Sequence, residues 1–298
     1  MKNHKVIISL FCLSVIILIF FPKWTVDDSA ILWRYADNFK QGFGLVWNAG
    51  QYLQSYTGIT LLTFLIISPF PYIITSYIIG VVSFLIGGYI LYLIVKDSPA
   101  KNLLLICYFL NAAIYVHVFA GLETILFSTL LLTSFYFYRE KKKWYLLISL
   151  IIATLTRPEA FILSIILFST KKDYKILFYY LLVIGIFLLM TSMYYGDIFP
   201  NSFYRKSWNS DKFDANWTDF KQFFSIYMLV PLTYLVIILF KKQIQKIDWK
   251  ASLFIVLCIV YYLHANLEMN YSGRFFFHVY PLFLAVIGTV TFKKAKKK

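Results

Sequence analysis

"LIIATLTRPEAFILSIIL", residues 150–167, interrupts an apolar run with an arginine, a proline and a glutamate. Whether it is one kinked membrane span or two short ones sets the parity of the whole chain. Pro158 removes a helical hydrogen bond, so a single kinked span is one reading and two short spans the other. Cutting the chain at its charged clusters gives candidate spans at 6–22, 72–95, 102–119, 123–138, 144–156, 158–170, 174–194, 223–240, 251–267 and 275–292. Several are shorter than the roughly 20 helical residues that a hydrocarbon core demands. Counted as two spans, the "TRPEA" pair gives ten crossings. The N-terminus, "KDSPAK", "REKKK", "KKDYK", "KKQIQKIDWK" and "KKAKKK" then share one side and hold most of the 29 Lys and Arg. Counted as one, it flips the last two clusters outward, against the tendency of basic loops to stay inside. Ten crossings with both termini cytoplasmic is the expectation, with "TGITLLTFLIISPF" as a re-entrant or surface helix.

The rest of the composition agrees. Of 298 residues, 60% are hydrophobic and only 14% charged, which predicts an all-α polytopic membrane protein, a single domain over 1–298 without a sizeable soluble part. The net charge of +15 sits in short loops, so it reports orientation and not nucleic-acid binding. Cys12, Cys107 and Cys258 lie inside apolar runs without metal-type spacing and read as packing residues. "VIISLFCLSVIILIFF" follows a short basic start as a signal peptide would. No small-residue cleavage site follows it, so it reads as a retained span.

On this topology only Asp97, Glu140, Asp173 and Asp248 of the 14 acids face inward. The polar, motif-like segments collect on the outer side, and ionisable groups at a membrane edge point to a site. The first outer loop, 23–58, opens with Asp27 and Asp28. One acid suffices to cap a helix, whereas adjacent carboxylates can also take a proton or hold a divalent cation. The predicted helix 31–40 carries Arg34 and Tyr35, and a turn-rich stretch with Trp47, Asn48 and Tyr56 follows. Its rings suit either sugar stacking or an interfacial aromatic belt. Glu123 in "AGLET" reads as a helix-start acid or a site residue. Arg157 and Glu159 read as a buried ion pair or, the favoured reading, as capture of an anion by Arg157. The second outer loop, 195–222, supplies Asn201, Tyr204, Arg205 and Lys206, one cation of which reads as interfacial snorkelling. Arg274 precedes the last span.

"VDDSAILWRYADNFKQGFGLVWNAG", "SYTG", "GLET", "TRPEA", "YGDIFPNSFYRKS" and "GRFFFHVYP", in this order, resemble the GT-C superfamily of integral-membrane glycosyltransferases, in particular arabinofuranosyltransferase-like members. The likeness runs from Thr25 to Pro281, and Gln54–Ser55 departs from it where a glutamate–glycine pair is usual. The resemblance implies a GT-C-like fold, a multi-pass place in a bacterial inner membrane and an active site facing outward. It implies a polyprenyl-phosphate sugar as donor and a glycan, glycolipid or protein as acceptor. Asp27 is implied as catalytic base, with Asp28 assisting or exchanging roles. Arg157, Arg274, Lys206 and Arg205 would hold the donor phosphate, and Arg34, Tyr35, Trp47, Asn48, Tyr56, Glu123, Glu159, Asn201 and Tyr204 the substrates. No resident cofactor is expected; a divalent cation on Asp27 and Asp28 stays open, because no third ligand can be named. Two rival readings are a flippase for lipid-linked sugars and an O-antigen-polymerase-like enzyme.

Overall fold

The computed structural model describes residues 2–205, 210–240, 244–267 and 270–292. Among these the chain is helical, apart from a short antiparallel ribbon pairing Ile244–Lys246 with Thr291–Phe292. Helices Lys2–Phe20, Tyr72–Val95, Thr124–Arg139, Lys143–Thr156, Tyr174–Tyr195 and Trp249–His264 start within a few residues of the expected spans. By length and apolarity, three described helices suffice to cross a membrane: Tyr72–Val95, Tyr174–Tyr195 and Phe213–Ile238. A fourth is added if Lys101–Phe109 and Ala112–Phe119 are one span bent by 49°. Lys143–Thr156 and Trp249–His264 are apolar but shorter, with 14 and 16 residues. Such a set of helices belongs to a membrane protein.

"TRPEA" is a full break. The helix ends at Thr156, Arg157 is extended (φ −152°, ψ 134°) as a residue before proline should be, and a new helix covers Ala160–Leu167. Two expected spans are also broken. Asn111 stops 102–119 because its side chain caps the next helix, accepting the Ala113 N–H at 3.0 Å, and its amide donates to Ile226 O at 3.1 Å. The span 275–292 divides into Arg274–Phe277 and Tyr280–Gly288, with Pro281 in the first turn of the second piece. The segment 195–222, expected as an outer loop, is not all loop. Asn201–Arg205 is helical, and Phe213–Phe223 runs through a π turn, Phe224–Met228, into Leu229–Phe240. Its aromatic residues stack along one face, Phe213 on Trp217 (6.2 Å) and Trp217 on Phe220 (5.5 Å). Asn216 fastens it by donating to Leu263 O (3.2 Å) and Ala265 O (2.7 Å).

One large apolar core joins the long helices. Polar side chains bond across it: Thr129 Oγ1 donates to Ser83 O at 2.8 Å, and Tyr108 OH to Phe84 O at 2.9 Å. A second, smaller core lies under the segment 23–58. There Leu32, Tyr35 and Ala36 of helix Ser29–Lys40 pack with Tyr56 and with Leu61, Leu62 and Leu65 of helix Ile59–Ile67. The segment 23–58 is therefore a folded cap, and the junction between the two cores is tight at Gly58. A Cβ on Gly58 would lie 1.9 Å from the Thr156 carbonyl oxygen. Gly58→Ala is accordingly expected to push helix Ile59–Ile67 off Lys143–Thr156 at a cost of about 1–3 kcal/mol. Thermal unfolding in detergent reads this, and a transition at the wild-type temperature would count against the close approach.

Candidate active site

The cap, three helix ends and the segment around Asn201 and Ser202 surround one cavity of about 800 Å³. Its polar lining is Asp28, Ser55, Thr57, Glu123, Asn201, Ser202, Asn266 and Arg274, and Trp47 and Tyr56 add aromatic walls. These residues come from seven separate stretches of chain, so the cavity is a product of the fold.

Asp28 is brought there by backbone anchoring of the loop before it. The Val26 N–H donates to Ala120 O (3.1 Å), Trp24 Nε1 to Val116 O (3.1 Å), and Ser29 Oγ to Val26 O (2.6 Å). Asp28 stands at the N-cap of Ser29–Lys40 yet makes no capping hydrogen bond with its side chain. Its carboxylate is 33% exposed and lines the cavity. Asp27 is placed differently from the expectation. It is exposed, lies outside the lining, and its Oδ1 accepts the Asp28 N–H at 2.9 Å. Adjacent residues at a helix start point in different directions, and here only the second reaches the cavity.

Arg274 enters from the opposite wall. Ser272 (φ 51°) and Gly273 (φ 65°) are both left-handed, a turn that glycine permits and that serine adopts under strain, and they redirect the chain into helix Arg274–Phe277. Arg274 Nη1 donates to Asp28 Oδ2 at 3.4 Å, and the guanidinium lies over the rings of Phe275 (4.7 Å) and Tyr271 (5.5 Å).

Arg157 departs from the anion-capture reading. Its side chain is 1% exposed and does not line the cavity. Nη1 donates to Glu123 Oε1 (2.9 Å), Nη2 to Glu159 Oε1 (2.8 Å), and Nε to Glu159 Oε2 (3.3 Å). Tyr262 OH adds a further bond to Glu159 Oε1 at 2.9 Å. Two carboxylates occupy the guanidinium, and burial shuts out a third anion. The result is a fixed Glu123 facing the cavity. A sequence reading could not have paired it with Arg157, 34 positions away.

The cap loop is tied down by side chains that the sequence suggested as substrate contacts. Tyr35 is fully buried; its hydroxyl donates to Leu53 O and accepts from the Ser55 N–H (3.0 Å). Arg34 Nε donates to Trp47 O (3.2 Å), and Asn38 Nδ2 to Val46 O (2.8 Å) and Trp47 O (2.9 Å). Tyr195 OH donates to Leu45 O (2.7 Å) and bonds Tyr56 OH (3.1 Å). Burial pushes the Tyr56 phenol up to about 12, against the pull of that bond, so Tyr56 acts as a neutral wall and donor. Arg34 and Tyr35 thus support the loop from outside the lining. Asn48, exposed, bonds Gln51 Oε1 within its own turn (2.9 Å). Tyr204 is exposed and away from the cavity. Lys206 lies outside the described residues, and so does the side chain of Arg205.

Tyr195→Phe is expected to loosen the loop by about 1 kcal/mol, the worth of a hydrogen bond. Faster amide exchange at 44–57 would record it; unchanged exchange there would refute the tether.

Four lining residues escaped the sequence reading: Ser55, Thr57, Ser202 and Asn266. The first two sit inside the quoted "SYTG", and Ser202 follows Asn201, whose N–H donates to Gln54 O at 2.9 Å. Asn266 lies just before the "MNYSGRFFF" stretch and had no signal of its own. Among the described residues no group of three or more His, Cys, Asp or Glu could hold a metal ion.

Chemically the cavity offers a carboxylate able to take a proton, one cation for an anionic group, and hydroxyls, amides and rings suited to a polyol. Protein-family models, curated proteins and solved structures each gave no match to the chain.

Proposed function

We propose that this membrane protein is a glycosyltransferase that moves a sugar from a polyprenyl-phosphate donor to an extracytoplasmic glycan, glycolipid or protein. The observation that carries the proposal is the convergence of Asp28, Glu123 and Arg274 on one cavity together with Trp47, Asn201, Ser202 and Asn266. Asp28 is the base and Arg274 the phosphate contact. The acceptor hydroxyl oxygen attacks the anomeric carbon while Asp28 takes its proton. The bond from that carbon to the phosphate oxygen breaks, and polyprenyl phosphate leaves with its charge against the guanidinium. Glu123, locked in place by Arg157, accepts hydrogen bonds from sugar hydroxyls, and Trp47 covers an apolar sugar face. The proposal includes a GT-C-like, ten-crossing arrangement in a bacterial inner membrane, with both termini inside and the cavity outside. In it the short and broken helices count as crossings.

Among the described residues, the ionisable groups lining the cavity gather at one site and form no file across the bundle, which favours chemistry over translocation. Purified protein in proteoliposomes, given radiolabelled polyprenyl-phosphate sugars and envelope extract, tests the proposal. Label moving to acceptor with stoichiometric release of polyprenyl phosphate is the expected result. Donor recovered intact, or carried across the bilayer unchanged, would replace the enzyme by a flippase.

A further inference from the structure

Arg274 has too few partners for its surroundings. It is only 6% exposed and carries five N–H donors. Nη1 meets Asp28 Oδ2 at 3.4 Å, near the limit of a hydrogen bond, and the buried Nε has no acceptor. A desolvated cation with open donors gains from a better acceptor, and a tetrahedral oxyanion accepts from a guanidinium through two parallel bonds. Among the described residues, Arg274 is also the only cation lining the cavity.

The backbone beneath it is braced. Asn270 Nδ2 donates to Asp219 Oδ2 at 2.8 Å, and Asn270 Oδ1 accepts the Phe275 N–H at 3.2 Å. Tyr227 OH, from the π turn, reaches Ser272 Oγ at 3.5 Å, and Gly273 packs so closely on Phe223 that a Cβ would lie 2.9 Å from it. With the main chain fixed, the side chain alone chooses its partner. Asp28 and an entering phosphate are two anions beside one guanidinium, so each weakens the other's hold on it.

We infer that Arg274 is a shared partner that pairs with Asp28 Oδ2 in the resting protein and leaves it for an entering phosphate, so that filling the donor subsite frees the base. This deepens the transferase reading and rests on it for its meaning. It makes binding ordered: the acceptor hydroxyl meets an available base only after the donor phosphate has taken the guanidinium. It also makes phosphate binding weaker than the arginine alone would allow, because Asp28 must be displaced. Coupling between two ligands of one group is reciprocal.

The test measures binding, not turnover. Full-length protein in detergent is titrated with geranyl phosphate, inorganic phosphate and geraniol by calorimetry. Asp28→Asn is expected to tighten geranyl phosphate by about fivefold or more, the lower range of such couplings. Asp28→Ala should do the same, and each variant is first checked for monodisperse elution. Arg274→Lys, which keeps the charge and loses the fork, should weaken phosphate binding, and geraniol should not respond to any of these changes. Equal tightening for inorganic phosphate identifies the oxyanion as what is read; tightening for geranyl phosphate alone identifies a lipid headgroup. Unchanged or weaker geranyl phosphate binding in Asp28→Asn, or no phosphate binding by any form, overturns the exchange. Sugar transfer by the wild type alongside unchanged binding in Asp28→Asn leaves the transferase and removes the exchange. Tightening without transfer from any donor does the reverse.

Discussion

On the proposed transferase reading, Asp28→Asn is expected to lower sugar transfer by roughly 10²- to 10⁴-fold, the usual worth of a positioned general base, in protein that inserts and purifies as the wild type does. The expectation follows from where the carboxylate is. It lines the cavity, makes no helix-capping bond and has a single long contact with Arg274. Asparagine keeps the shape and removes the ability to take a proton. Asp27→Asn provides the contrast. That carboxylate is exposed and its contact is with the backbone N–H of its neighbour, so turnover stays close to wild type. Initial rates with one donor and one acceptor, measured for both variants, decide the matter. A severe defect in Asp27→Asn beside a mild one in Asp28→Asn would reverse the assignment.

The second large effect is on folding. Arg157→Met removes the cation from between Glu123 and Glu159, leaving two carboxylates and the Tyr262 hydroxyl around an apolar side chain. Breaking a buried pair from one side costs about 3–5 kcal/mol, because the uncompensated charge stays behind. The rings of Phe275 (5.3 Å) and Phe127 (5.9 Å) also lose the guanidinium they flank. A membrane protein of ordinary stability would then yield little folded material, and what survives should unfold well below the wild type. Fluorescence-detected size exclusion and a thermal scan read both. A stable, monodisperse Arg157→Met that has lost affinity for polyprenyl phosphate would restore Arg157 as an anion-binding residue.

Much of the helical framework was legible because its signals are long and local. The start of Tyr72–Val95 or Tyr174–Tyr195 needs only a charge or proline followed by some twenty apolar positions. The break at Asn111 was not legible, since one amide inside an apolar run does not say whether its side chain will cap a helix or face a partner. The helix Phe213–Phe223 had a signal, aromatic residues at helical spacing, that the neighbouring polar residues obscured. At the site the sequence named Asp28, Trp47, Tyr56, Glu123, Asn201 and Arg274, all of which line the cavity. It could not divide work between Asp27 and Asp28, because the phase of the helix that follows them decides which one turns inward. It offered the Arg157–Glu159 pair as one of two readings, and the structure has that pair; what it could not see was the second partner, Glu123, 34 positions away.

The short apolar helices carry a consequence for the surrounding lipid. At 1.5 Å per residue, Lys143–Thr156 rises about 21 Å and Trp249–His264 about 24 Å, against a hydrocarbon thickness of roughly 30 Å. A bilayer meeting such a perimeter pinches inward to relieve the hydrophobic mismatch. On the proposed ten-crossing arrangement, headgroups would dip toward the midplane beside these two helices, and a lipid-linked donor would be lowered with them. Acyl-chain length would then set part of the depth at which such a donor meets the cavity.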